Sequence, residues 1–148
     1  MTVNPILLIP DVQLFLRLVI AMALGSAIGY ERARRGKPAG VRTHGMVCLG
    51  AALFTVVSLY GFGNPNDTAR VAAQIVTGIG FLGAGAILHE HGSVQGLTTA
   101  ASLWVTAAIG LAVGTGMVLL SLATAVLVFL LLRFGPELGP DPAHRESD

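Results

Sequence analysis

Five long apolar runs, separated by short polar segments, dominate the pattern of residues along the chain. They cover residues 12–30, 43–62, 70–88, 97–113 and 117–132. A helix needs about 20 mostly apolar residues to cross a bilayer. The last two runs divide one uncharged stretch of 34 residues, which is too long for one such helix. The pattern therefore predicts an all-α membrane protein with about five transmembrane helices.

Glycine is concentrated in these runs, above all in the third, RVAAQIVTGIGFLGAGAIL. Each glycine costs about 1 kcal/mol relative to alanine in a helix, but in a bilayer it lets helix backbones approach closely. We therefore predict a tightly packed bundle with the third run buried at its centre. Trp104 is predicted to pack between helices or subunits. The predicted helix-packing glycines are Gly25, Gly29, Gly78, Gly80, Gly83 and Gly85.

Composition supports a membrane protein, and charge gives its orientation. The chain is 53% hydrophobic and 11% charged, whereas soluble domains carry about 25% charged residues. The lipid bilayer is thus the expected surroundings, and a net charge of +1 gives no reason to expect nucleic acid. Basic residues cluster in the segment 31–45 and mark the cytoplasmic side. The prediction is a transmembrane domain over residues 1–133, N-terminus outside, and a short cytoplasmic tail over residues 134–148.

The segment 31–45 holds the first candidate site. Residues at the ends of the first two runs are predicted to form a polar cluster on the inner side, with Glu31 paired to Arg32 or Arg42. For Arg34, Arg35 and Lys37, attraction to anionic lipid is an equally good interpretation. Arg17, near the start of the first run, is expected to reach the membrane interface. The predicted inner cluster consists of Glu31, Arg32, Arg42, Thr43 and His44.

Two stripes of polar residues follow, each with helical spacing. Asp67, Arg70, Gln74 and Thr77 share one face of the third run, which starts on the outer side. Polar residues inside a membrane suggest function; an Asp67–Arg70 ion pair with an interhelical bond from Gln74 is the structural alternative.

The second stripe lies in the fourth run. Thr98, Ser102 and Thr106 step by four residues, with Thr99 beside them. Because such hydroxyls can bond back to their own helix, helix packing is the favoured role for this stripe.

Metal binding and catalysis have weaker support. His89, Glu90 and His91, with His44 on the same side, could in principle hold a transition metal. An HxH pair in the polar loop predicted at residues 89–98 is a weak signal, so no metal site and no cofactor is predicted. The sequence also offers no nucleophile and base at an interpretable spacing, so the chain is not expected to be an enzyme.

Three segments together resemble the MgtC/SapB family of bacterial membrane proteins: GSAIGYERARRGKPAGVRTHG, DTARVAAQIVTGIGFLGAGAIL and VQGLTTAASLWVTAAIGLAVGTG. The resemblance implies five helices in the bacterial inner membrane, adaptation to low magnesium and, in pathogens, survival inside macrophages. Longer members add a soluble domain after the fifth helix, so a short form is expected here. The matching positions are Glu31, Arg32, Ala39, Gly40, Arg42, Thr43, Asp67, Arg70, Gln74, Gly78, Gly80, Gly83, Gly85, Gly96, Thr98, Thr99 and Trp104.

Two functions follow as expectations. The resemblance implies a non-enzymatic regulator that contacts other membrane proteins, possible partners being the F-type ATP synthase and a second copy in a homodimer. The alternative is a small channel or transporter for an ion or small solute, lined by the polar groups above. Magnesium itself suits this alternative poorly, because it prefers carboxylates and Arg42 and Arg70 would repel it.

Overall fold

The computed structural model describes residues 11–61, 68–90 and 93–135 and contains five α-helices and one β-hairpin. Each predicted run corresponds to one helix, with ends that differ by no more than four residues, so the predicted all-α fold class is confirmed. The elements are α1 (Asp11–Arg34), α2 (Val41–Tyr60), α3 (Thr68–Gly85), β1 (Leu88–Glu90), β2 (Ser93–Gln95), α4 (Leu97–Thr115) and α5 (Val118–Phe134).

Helix length and hydropathy agree with a membrane protein. By these criteria α1, α2 and α4 are long and apolar enough to cross a bilayer. The apolar parts of α3 and α5 are shorter, Ala69–Gly85 and Val118–Phe134. At a rise of 1.5 Å per residue, each of these two spans about 25 Å.

The segment 89–98, predicted as a polar loop, instead contains the end of β1, all of β2 and the start of α4, so this prediction is wrong for the described residues. Strands β1 and β2 pair antiparallel, with Leu88 opposite Gln95 and His89 opposite Val94. Polarity alone does not distinguish a loop from a short hairpin, in which strand pairing satisfies the backbone groups. Gly96 then begins α4 in a left-handed conformation, with φ 86°.

Helix α2 packs against both α1 and α4, and glycines of these two helices allow the backbones to approach closely. A Cβ atom at Gly25 of α1 would lie 2.5 Å from the His44 carbonyl oxygen and 2.6 Å from the Cys48 Cβ atom. A Cβ atom at Gly110 of α4 would overlap the Cys48 carbonyl oxygen. Gly29 likewise lies at a contact, against the Gly40 carbonyl.

Small apolar side chains fill the space around these contacts. The cluster at the α1–α2–α4 junction, which includes one residue of α5, consists of Ala21, Ile28, Cys48, Ala52, Ile109, Val113 and Ala125. A second cluster holds α3 and α4 against α2 and consists of Ala39, Ala51, Ile79, Leu103 and Ala107.

The predicted central position of the third run is wrong, because α3 lies at the edge of the bundle and packs mainly against α4. Among its residues whose burial is described, only Ile79 and Gly83 are buried. A Cβ atom at Gly83 would lie 3.7 Å from the Ala100 Cβ atom, whereas one at Gly78, Gly80 or Gly85 would meet no atom within 4 Å. Gly78, Gly80 and Gly85 are therefore not at close helix contacts within the described part of the chain. The prediction failed because glycine content does not reveal which way a helix faces.

Trp104 keeps half of its surface exposed. Packing between helices of this chain thus buries only part of the indole ring. A contact of Trp104 with another subunit stays a prediction.

We predict that Gly25→Ala destabilises the folded chain by about 1–3 kcal/mol, the usual cost of overpacking a core. The added methyl group would meet the backbone of α2, which cannot rotate away. Unfolding in mixed detergent micelles measures this difference. Gly80→Ala is the matched control: its methyl group has open space, so it should be neutral or slightly stabilising. Equal effects of the two substitutions would contradict the packing described here.

Candidate functional site

Polar side chains from four helices meet at one end of the bundle, which we call the basic end. Here α1 and α5 finish and α2 and α4 begin. Hydrogen bonds described below join these four helix ends. The basic residues described in this region are Arg32, Arg34, Arg35, Lys37, Arg42 and Arg133.

The first link joins α1 to α4. Arg32 is 3% exposed, and its Nη2 atom donates a hydrogen bond of 2.7 Å to the Thr99 hydroxyl, which is equally buried. A hydrogen bond to a charged group contributes about 1.5–3 kcal/mol. Arg32 therefore holds the end of α1 against the first turn of α4.

The second link joins α2 to α4. His44 is fully buried, with Nδ1 3.1 Å from the Gly40 carbonyl oxygen and Nε2 3.0 Å from the Ser102 hydroxyl. Because a carbonyl only accepts, Nδ1 carries a proton, and in the neutral ring Nε2 accepts from Ser102. The Ser102 hydroxyl also lies 2.8 Å from the Thr99 carbonyl oxygen. Its single proton thus has two alternative acceptors, and the pairs Arg32–Thr99 and His44–Ser102 become one connected cluster.

The third link contains a buried carboxylate and corrects the predicted pairing of Glu31. Glu31 is 2% exposed; its Oε1 atom accepts a 2.9 Å hydrogen bond from Arg35 Nε and lies 3.8 Å from Arg133 Nη1. Arg35 also donates to the Arg133 carbonyl oxygen, which fixes the end of α5.

Helix geometry explains why Glu31 pairs with neither Arg32 nor Arg42. Residues four apart lie above one another on a helix, so Arg35 is next to Glu31, while Arg32 points towards α4. Arg42 is exposed on the first turn of α2.

The structure brings together only part of the predicted inner cluster and hydroxyl stripe. Arg32 and His44 join Thr99 and Ser102, as described. Arg42 and Thr98 are exposed, and Thr43 lies on a groove beside α3.

The remaining residue of the hydroxyl stripe, Thr106, is fully buried and donates to the Ser102 carbonyl oxygen at 2.7 Å. This back-bonding to its own helix is the packing behaviour expected for such residues.

The polar stripe of α3 lies away from this cluster. Arg70, Gln74 and Thr77 are all exposed, and the Thr77 hydroxyl bonds back to the Ala73 carbonyl oxygen at 3.0 Å. Asp67 lies outside the described residues. The stripe therefore faces the surroundings of the bundle rather than its interior.

Sequence reasoning missed a contact at the opposite end of the bundle. Arg17 is partly buried, and its Nη1 atom donates to the Tyr60 hydroxyl and to the Gly114 carbonyl oxygen, both at 3.0 Å. Instead of merely reaching the interface, Arg17 ties α1 to the last turns of α2 and α4. A cation is favoured at a helix C-terminus, which explains the contact of Arg17 with the Gly114 carbonyl. In the sequence, the one signal for this contact was a charged residue inside an apolar run.

Metal binding gains no support from the described part of the chain. Within it, no group of three or more His, Cys, Asp or Glu side chains is placed to hold a metal ion. His91 lies outside the described residues, so the His89–Glu90–His91 alternative is untested.

We predict that Arg35→Ala lowers the free energy of unfolding by about 1–3 kcal/mol, because it removes the closest partner of a buried carboxylate. Arg34→Ala is the matched control. Arg34 is exposed and lies 5.8 Å from the centre of the Tyr30 ring, an interaction of about 0.5–1 kcal/mol at most. Detergent unfolding of both variants tests this; a loss for Arg34→Ala as large as that for Arg35→Ala would contradict the assigned role of Glu31.

The sequence of the chain is similar to those of a known protein family. The MgtC family profile matches residues 18–139. The chain is 47% identical over 127 residues to "Putative magnesium transporter YhiD" of Escherichia coli K12, covering 81% of this chain and 59% of the relative. It is 46% identical over 121 residues to "Protein MgtC" of Salmonella typhimurium LT2, covering 80% of this chain and 52% of that relative.

A third relative, an uncharacterized protein of Haemophilus influenzae Rd, is 40% identical over 143 residues, covering 90% of this chain and 60% of the relative. The chain thus spans between half and three fifths of the length of these relatives. No solved structure matches significantly. The family profile covers most of the chain, including every residue of the buried cluster at the basic end, and the chain therefore belongs to the MgtC family.

Proposed function

We propose that this chain is a non-enzymatic regulator of the MgtC type, which acts in adaptation to low magnesium by contacting other proteins in the bacterial inner membrane. In pathogens the same activity would serve survival inside host cells. The basic end faces the cytoplasm in this proposal, as the distribution of Arg and Lys favours.

The observation that carries the proposal is an exposed stripe of small residues on α3. Ala73, Thr77, Gly80 and Ala84 follow steps of four, three and four residues, so they share one face, and all are exposed. Small residues on one face let another membrane helix approach closely. We call these four residues the small face of α3.

The exposed surface of α5 provides a contrast. Its most exposed side chains are large and apolar, among them Leu119, Leu127 and Leu131, which are 66–81% exposed. Such a surface suits contact with lipid chains. The small face of α3 offers lipid much less contact area and so favours a helix as its neighbour.

Packing in the middle of the bundle weighs against the alternative of a channel or transporter. Between the cluster at the basic end and the Arg17 contact at the other end lie Cys48, Ala52, Ile109 and Val113, each at most 1% exposed. Gly110 brings α4 directly onto the α2 backbone at this level. A path for a hydrated ion would have to separate these helices.

Transport of magnesium is the form of this alternative that one relative's name, putative magnesium transporter, suggests. Mg²⁺ binds through oxygen ligands and gives up its water reluctantly. The buried cluster instead holds the Arg32 guanidinium 2.7 Å from the Thr99 hydroxyl, a charge that repels cations. Magnesium adaptation therefore fits regulation better than direct passage.

A second copy of the chain is the first partner to test, since two small faces can pack against each other. The family resemblance adds the F-type ATP synthase as a second partner to test.

We predict that Ala84→Leu abolishes support of growth in low-magnesium medium, in a bacterial strain whose own MgtC-type protein is deleted. The same substitution should lower photocrosslinking from position 73 to a second copy or to ATP synthase subunits about tenfold, as a loss of about 1.4 kcal/mol would. Ala123→Leu on α5 is the matched control, because Ala123 is also an exposed alanine; it should behave as wild type at equal membrane levels.

Flux measurements on the purified chain test the alternative function. Liposomes containing the purified chain should pass Mg²⁺ and small anions no faster than protein-free liposomes. Flux that Gln74→Ala or Arg70→Ala abolishes would overturn the regulatory proposal, as would full growth support by Ala84→Leu.

A further inference from the structure

A groove of about 630 Å³ separates α2 from α3 and has α4 as its floor. Met46, Gly50 and Phe54 of α2 form one wall, Gly78 and Leu82 of α3 form the other, and Ala107 lies at the base. The groove is open because α3 packs mainly on α4. Its two glycines leave it wide, since a Cβ atom at Gly50 or Gly78 would meet no atom within 4 Å.

The polar groups of the groove lie towards its two ends. Thr43 is at the end nearest the basic end, and Gln74 lies towards the other. From Thr43 to Phe54 the groove runs about 16 Å along α2, close to half of a hydrocarbon core about 30 Å thick. Hydrocarbon side chains line the stretch between, so the groove matches the depth and chemistry of one membrane leaflet.

Positive charge lies beside one mouth of the groove. Arg42 is exposed and directly precedes Thr43, which lines the groove. Arg42 also belongs to the first turn of α2, whose N-cap, Gly40, provides no side-chain hydrogen bond. The first backbone N–H groups of a helix lack intrahelical acceptors and attract anions, phosphate in particular. The mouth is therefore complementary to a phosphate group attached to an apolar chain.

From this juxtaposition we propose that the groove binds one acyl chain of an anionic phospholipid, whose phosphate lies at Arg42 and the start of α2. We favour a lipid over a transmembrane helix in this groove, because only the lipid brings an anionic group to Arg42 and the start of α2. The small face of α3 points away from the groove, so lipid and a partner helix occupy different sides of α3.

Native mass spectrometry of the delipidated full chain with added lipid tests the proposal. Phosphatidylglycerol and phosphatidylcholine with identical acyl chains are the two probes. One phosphatidylglycerol should bind per chain, in preference to phosphatidylcholine. Gly78→Leu fills the groove and should weaken binding of both lipids about tenfold or more, a loss of at least 1.4 kcal/mol. Arg42→Gln should weaken phosphatidylglycerol alone, by about fivefold, the effect of one basic residue near an anionic lipid.

Matched controls separate a specific site from general lipid contact. Ala123→Leu adds the same side chain to α5, outside the groove, and Arg34→Gln removes another exposed charge at the basic end; both should bind lipid as wild type. Gly50→Leu fills the groove from α2 and repeats the Gly78→Leu test if that variant fails to fold.

Three results would overturn the proposal. The first is equal binding of the two lipids by wild type, and the second is equal loss in Gly78→Leu and Ala123→Leu. The third is conversion of a dimer to a monomer by Gly78→Leu with lipid binding unchanged, which would assign the groove to a second copy. The proposed regulatory contact can fail without affecting these measurements, because it depends on Ala84 and the small face instead.

Discussion

The close contact of α2 with both α1 and α4 at Cys48 is the constraint on which the rest of the structure depends. Gly25 and Gly110 have no side chains, so the backbones of α1 and α4 both come close to Cys48. One turn towards the basic end, the same approach places His44 within hydrogen-bond reach of Ser102. Arg32, two turns beyond Gly25, meets Thr99 in the same way. In a bilayer, where association gains little from the hydrophobic effect, such packing and buried hydrogen bonds hold helices together.

This constraint divides the molecule into a closed unit and a more open periphery. Helices α1, α2 and α4 are fastened at the basic end by Arg32 and His44 and at the other end by Arg17, with apolar packing between. Helix α3 lies outside this unit and exposes a small face on one side and a groove on the other. The parts of the chain suited to binding are therefore on α3 and its border with α2, which is why we place regulation and lipid binding there.

Much of the fold could be predicted from the sequence, because hydropathy reports directly on which segments can cross a bilayer. The five helices follow from it, and the glycines of the first run pointed to the contacts of Gly25 and Gly29. The position of α3 could not be predicted, since glycine lets a helix pack closely without specifying a partner. Only part of the buried cluster could be predicted. Helical spacing grouped Ser102 with Thr106, but the hydrogen bond between Arg32 and Thr99 could be predicted only by knowing that α1 and α4 are in contact. Pairing of Glu31 with Arg35 was readable from the i,i+4 spacing, whereas the approach of Arg133 depends on the return of α5.

The most direct test of this account is a double-mutant cycle between Arg32 and Thr99, measured as free energies of unfolding in detergent micelles. If α1 and α4 are held together by their buried hydrogen bond, Arg32→Gln and Thr99→Val should be coupled by about 1–3 kcal/mol, as interacting neighbours are. The cycle of Arg32→Gln with Thr98→Val, at an exposed hydroxyl one residue away, should give coupling within about 0.5 kcal/mol of zero. Coupling near zero in both cycles would contradict the account.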